Sequence, residues 1–232
     1  MKPLGKTMHP KRKMLVPTSF FTLFAEIALM PTLLHIDSSP RAASVSSQLA
    51  ATFVERWKKH NPSGVVFQHN TAFEQIPYLD EAAINACFAP AEALTAEQKQ
   101  KLTISDKLTD ELVAADLLVL GVPMWNLGIP ASLKAWIDQI VRPGRTFAYT
   151  SAGVAPLLVG KKAYIFSSRG GAYPVGTPYH AYDQQEPYLR TVLGFLGITD
   201  INFVYVENQS RSGDAPAQGL AAAQAALAAL TI

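Results

Sequence analysis

Three short stretches of this 232-residue chain combine side chains and backbone suited to holding a small ligand. The first, Asp37-Ser38-Ser39-Pro40-Arg41-Ala42-Ala43-Ser44-Val45-Ser46-Ser47-Gln48, is rich in hydroxyls and runs into a helical pattern. Serine hydroxyls beside the unpaired N–H groups of a helix start can surround a phosphate. Ordinary serine capping of that helix accounts for the same residues. The second, Gly121-Val122-Pro123-Met124-Trp125-Asn126-Leu127-Gly128-Ile129-Pro130, sets large apolar side chains in a loop. Met124, Trp125 and Leu127 therefore need a partner, either the core or a flat apolar ligand. In the third, Ser167-Ser168-Arg169-Gly170-Gly171-Ala172-Tyr173, paired glycines let the backbone approach a planar group closely.

Each stretch follows a short apolar run with the character of a buried strand. Candidate strands are Thr32 to Ile36, Val65 to Gln68, Leu117 to Val122, Lys161 to Phe166 and Ile201 to Val206. Helical patterns lie at Ser44 to His60, Thr95 to Ala114, Pro130 to Ile140, Glu186 to Leu196 and Pro216 to Leu230. In the third of these, Leu133, Trp136, Ile137 and Ile140 recur at helical spacing, which reads Trp136 as core. Strict alternation predicts an α/β, flavodoxin-like doubly wound fold: a five-stranded parallel sheet with helices on both faces. Such sheets bind ligands beyond the carboxyl ends of their strands, where strand order reverses. All three stretches would then meet at one edge. The poorly patterned connection from Ala72 to Ala96 reads as an insertion shaping a site or an interface.

Composition narrows the function classes. A hydrophobic fraction of 49% excludes a disordered chain, and a single cysteine, Cys87, excludes a disulfide framework and fits a reducing compartment. The net charge of +2 is unevenly placed. Of 20 Lys+Arg and 18 Asp+Glu, five and one fall within residues 1–29, leaving 15 and 17 and a charge of −2 for the remainder. The basic start followed by Leu15 to Ala25 has the outline of a signal peptide, but Pro17 and Glu26 interrupt it. Residues 1–29 are read as a disordered extension or an incorrect start, with targeting as the alternative, and residues 30–232 as the functional domain. No second basic patch supports nucleic-acid binding, and the apolar run is too short for a membrane span. Neither G-x-G-x-x-G nor a P-loop is present on the first stretch, which argues against dinucleotide binding there and against an NTPase.

Together the serine-rich loop, Pro123-Met124-Trp125-Asn126, Ser168-Arg169-Gly170-Gly171, Pro187-Tyr188-Leu189-Arg190 and Gly194-Phe195-Leu196-Gly197-Ile198 resemble the FMN-dependent NADH-azoreductase and NAD(P)H:quinone oxidoreductase family. The resemblance runs from about Thr32 to the C-terminus. It implies that Ser39, Ser44, Val45 and Ser46 hold the FMN phosphate, that Met124, Trp125, Asn126 and Leu127 line the isoalloxazine, and that Ser168, Arg169, Gly170 and Gly171 meet its other edge. Trp125 stands where many relatives carry Tyr and keeps an aromatic surface. Also implied are a cytoplasmic homodimer and a ping-pong cycle. NADH or NADPH delivers hydride to the flavin and leaves, and a quinone or azo compound takes the two electrons.

No side-chain triad is needed, because the flavin carries the chemistry. Tyr149 matches a family aromatic near the flavin, and an ordinary surface tyrosine fits as well. His180, in a polar aromatic loop, reads either as a substrate-side contact or as a solvated histidine; His35 reads as core. No histidines have metal-ligand spacing, so no metal is expected. Three other readings share the fold or the loops. A flavodoxin-type electron carrier is disfavoured by the apolar second loop; a receiver domain using Asp37 lacks its further acids; an adaptor would leave the loops as packing features.

Overall fold

The computed structural model describes residues 30–231; the extension expected over residues 1–29 lies outside the described residues. In chain order the elements are β1 (Thr32–Asp37), α1 (Val45–His60), β2 (Val65–Asn70), α2 (Glu81–Phe88), α3 (Ala96–Ala114), β3 (Leu117–Pro123), α4 (Ala131–Ile140), β4 (Phe147–Thr150), β5 (Gly153–Pro156), β6 (Lys162–Ser168), α5 (Glu186–Leu196), β7 (Asp200–Val206) and α6 (Ala215–Ala229). Five strands form one parallel sheet in the order β2-β1-β3-β6-β7. The order reverses between β1 and β3, so a crevice opens beyond Asp37 and Pro123.

Period-two alternation splits each central strand between two cores. Leu33, Val119, Tyr164 and Phe166 face α1 and α6, where they bury Phe53, Trp57 and Leu227. Leu34, Ile36, Leu118, Leu120 and Ile165 face α3, α4 and α5, where Trp136 is buried as its spacing predicts. With both faces covered, the strands read as near-continuous apolar runs. Phe53 packs on two residues of β6, its ring centroid 4.6 Å from Tyr164 and 5.6 Å from Phe166. That contact packs α1 against the sheet.

Two features depart from strict alternation. The Ala72 to Ala96 connection contains α2, only 8 residues long, capped by Asp80, whose side chain accepts from the Ala83 amide at 2.7 Å. It buries only Ala83 and Ala86, too narrow a stripe to register as a helical pattern. Between α4 and β6, β4 and β5 form a separate antiparallel hairpin, which carries Tyr149. Among the described residues no helix is long and apolar enough to cross a membrane.

Candidate active site

A cleft of about 350 Å³ opens at the crevice between β1 and β3. Its walls bring together Ser39, Ser44, Val45, Met124, Trp125, Ser168, Arg169 and Gly170, drawn from all three predicted loops.

The β1 end is organised around Asp37. Its carboxylate accepts from Ser47 Oγ at 2.7 Å, the Ser39 amide at 3.3 Å and Asn70 Nδ2 at 3.4 Å, folding the loop back against the start of α1. Ser38 donates to the Gly121 carbonyl at 2.9 Å and is fully buried, so it braces β3 instead of facing the cleft. Ser44 is the N-cap of α1: its Oγ accepts from the Ser47 amide at 3.3 Å. The capping expectation therefore holds. It leaves the next two amides, those of Val45 and Ser46, without an acceptor among the described residues. Ser46 itself is fully buried and lies outside the cleft lining, its Oγ 3.1 Å from that of Ser44. What Ser46 offers an anion is its amide. Two unpaired N–H groups at the positive end of a 16-residue helix, beside the cleft-lining Ser39 and Ser44, form a donor set for a phosphate.

The β3 end is a tight turn. Trp125 and Gly128 exchange both backbone hydrogen bonds at 3.0 Å, and the central residues Asn126 and Leu127 have φ of 47° and 71°. Both lie in the left-handed region, which is costly for leucine. The turn holds Trp125 at 44% exposure, while the Met124 amide donates to the Ser168 carbonyl at 2.8 Å and locks this wall to β6. Asn126 and Leu127 stand at the rim, outside the lining.

The third wall is built from two loops. Gln209, Ser210 and Asn208 donate their amides to the carbonyls of Arg169, Gly170 and Gly171 at 3.0, 3.0 and 3.2 Å. A Cβ on Gly170 would lie 2.8 Å from Ser210 Oγ, so a larger residue there would have to turn that hydroxyl aside. Gln209 and Ser210 line the cleft, and sequence reasoning missed them; Gly171 does not line it. Arg169 differs from expectation. Its side chain is 2% exposed and turns inward, Nη1 lying 2.9 Å from Asp183 Oδ2 and the guanidinium 4.0 Å above the Tyr205 ring. It is committed within the protein, so its backbone forms the cleft wall.

Tyr205 in turn donates to Glu186. Burial and the facing carboxylate push the tyrosine hydroxyl far up. Burial raises Glu186 as well, but hydrogen bonds from Tyr205 and Arg190 outweigh it and hold the carboxyl below the usual range. Tyr149 and His180 lie outside the cleft. Tyr149 lines an apolar groove with Ile84, Phe88 and Phe195, and His180 is exposed, its Nδ1 3.2 Å from the Tyr173 carbonyl.

A helix N-terminus with free amides, an apolar aromatic wall and a glycine backbone wall suit a phosphorylated planar ring. Comparison with known proteins points the same way. A family model described as "Flavodoxin-like fold" matches residues 31–230. The chain is 47% identical over 201 residues to an FMN-dependent NADH:quinone oxidoreductase of Nostoc sp., covering 86% of this chain and 97% of that one. It is 42% identical over 200 residues to an FMN-dependent NADH:quinone oxidoreductase of Pseudomonas fluorescens, covering 86% and 98%. The structure of an azoreductase from Bacillus anthracis superposes with a TM-score of 0.79 at 30% identity, over 86% of this chain and 97% of that one. An FMN-dependent NADH-azoreductase of Bacillus anthracis, solved in complex with FMN, gives 0.77 at 25% identity over 85% and 96%. The chain belongs to the flavodoxin-like family of FMN-dependent NADH:quinone oxidoreductases and azoreductases.

Proposed function

We propose that the protein is an FMN-dependent NADH:quinone oxidoreductase that also cleaves aromatic azo compounds by reduction. The observation that carries the proposal is the pairing of two acceptor-free amides, on Val45 and Ser46, with the Met124 and Trp125 wall in one cleft. FMN, when bound, supplies the two-electron hydride chemistry. The chain's residues bind and orient. Ser39, Ser44 and the first amides of α1 take the phosphate; Met124 and Trp125 cover the ring; the Ser168 to Gly170 backbone meets its polar edge. Backbone donors fixed in advance at that edge cost no reorganisation when charge develops there. Asn126 and Leu127, on the rim, meet the incoming nicotinamide or quinone.

The reading extends to a cytoplasmic homodimer. Phe88 and Tyr149 are 63% and 66% exposed around the apolar groove, a surface suited to cover by a second copy, and free Cys87 suits a reducing compartment. Residues 30–232 are the proposed functional unit.

Reconstitution tests this reading. The purified chain with FMN should turn yellow, oxidise NADH under anaerobic conditions and turn over with menadione and an azo dye. Flavin binding without NADH oxidation would indicate an electron carrier, and absence of flavin binding would overturn the proposal. Light scattering in solution reads the dimer directly.

A further inference from the structure

The segment Asp183-Gln184-Gln185 does not line the cleft, yet it bonds to the β3 turn and to the end of β6 and its loop. The Gln184 amide donates to the Leu127 carbonyl at 3.0 Å, holding the back of the β3 turn. Gln185 is fully buried; its Nε2 lies 3.4 Å from the Val122 carbonyl in β3, and its Oε1 accepts from Ser167 Oγ in β6. Asp183, 3% exposed, pairs through Oδ2 with Arg169 of the β6 loop. Its Oδ1 accepts from the Gln185 and Glu186 amides, both at 3.0 Å, so the same carboxylate caps the start of α5. Arg169 closes the circuit: its amide donates to the Val206 carbonyl at 2.8 Å and its carbonyl accepts from Gln209.

We propose that Asp183 and Gln185 are positioning residues that hold the Trp125–Gly128 turn and the Ser168–Gly171 loop at the separation a flavin ring requires. The inference rests on the flavin reading above. Its physical basis is burial. Gln185 bridges β3 and β6, and Asp183 joins the β6 loop to the start of α5; both side chains are buried, so any shift strands a donor, acceptor or charge. Supporting residues of this kind tune a site without touching its ligand.

The test uses the full chain with Asp183→Asn, which removes the charge facing Arg169, and Gln185→Met, which conserves volume and removes both hydrogen bonds. Asp200→Asn, which breaks a surface pair with Lys162 at the opposite ends of β6 and β7, is the control. Binding of FMN and of riboflavin is followed by quenching of flavin fluorescence, with visible circular dichroism of the bound flavin. Both variants should weaken FMN about tenfold or more and alter the dichroism, and the control should do neither. Because the loss falls at the ring, riboflavin should weaken by the same factor, leaving the FMN-to-riboflavin ratio at its wild-type value. A ratio that collapses would place the damage at the phosphate end and overturn the proposal, as would unchanged affinity and dichroism, or a fall in urea midpoint large enough to account for the loss of both ligands. Should Asp183→Asn fail to fold, the uncharged Gln185→Met variant decides the matter. Failure of the unaltered chain to bind FMN overturns the flavin reading instead.

Discussion

Trp125 and Gly128 pair as the last rung of a two-residue turn, each donating its amide to the other's carbonyl at 3.0 Å. Turns of this hand need positive φ at both central positions, and asparagine and glycine fill them at least cost. Here the second position is Leu127, at φ 71° and 40% exposed. A leucine kept where glycine would be less strained implies work for its side chain at the rim. Leu127→Gly should change unfolding stability by no more than about 1 kcal/mol, since relieved strain offsets the entropy glycine adds to the unfolded chain. The KM for a quinone should rise several-fold as apolar cover is lost. Urea unfolding and steady-state kinetics read the two effects separately. Lost stability with unchanged KM would assign the leucine a packing role instead.

Val45 occupies the first position of α1, after Ser44 with φ −70° and ψ 122°. That extended conformation is the one a following proline demands, and proline is well tolerated at a helix start. Val45→Pro therefore deletes one acceptor-free amide while sparing the helix. Thermal stability should stay near wild type. FMN affinity should fall about tenfold or more, the loss of one charge-assisted hydrogen bond. Riboflavin has no phosphate and should bind as before. Equal losses for both ligands, measured by fluorescence titration, would show that the phosphate lies elsewhere.

The five strands of the parallel sheet and the three loops were legible in the sequence because the signal for each is local. Leu117 to Val122 is an apolar run that only a doubly covered sheet explains, and Trp125 in a loop announces itself. What escaped depends on chain-distant partners. Gln209 and Ser210 reach the cleft because β7 pairs with β6, and nothing in a polar stretch foretells that register. Arg169 looked free for a ligand, and only the fold sets Asp183 against it. Ser46 falls in the first turn of its helix, where its hydroxyl is buried and only its amide is left to offer a ligand. Tyr149 sits on a hairpin whose 4-residue strands carry too little pattern to be seen.

Gly219 sits inside α6, where alanine ordinarily gains up to about 1 kcal/mol of helix stability. In this fold the sign should reverse. A Cβ there would fall within contact distance of the Glu207 carbonyl oxygen and 3.4 Å from Gln209 Nε2, and backbone cannot step aside as a flexible side chain can. Gly219→Ala should destabilise by about 1–3 kcal/mol in urea unfolding. Because Gln209 bonds both to Arg169 and to the Pro216 carbonyl, the displacement should also reach the cleft and weaken FMN. A more stable variant would mean that the helix stands further from β7 than this geometry has it.

His35 lies in β1 at 3% exposure, its Nε2 buried with no hydrogen-bond partner among the described residues. Burial is the chief cause that lowers its pKa below the ordinary 6.5; the Asp37 carboxylate acts the other way, and Lys58 adds to the lowering. The folded state thus holds a neutral imidazole, while the unfolded chain takes up its proton near pH 6.5. On acidification the unfolded state binds more protons, so folding stability falls. The contribution is fully present above pH 6.5 and drains away below it, with a slope approaching about 1.4 kcal/mol per pH unit until the lowered folded-state pKa is reached. His35→Leu, of similar volume and without the orphaned nitrogen, should remove this component. Urea midpoints measured from neutral pH down to about pH 5 should fall more steeply for the wild type than for the variant, the gap opening only below the unfolded-state pKa. Parallel curves would mean that His35 gains its proton without leaving the fold.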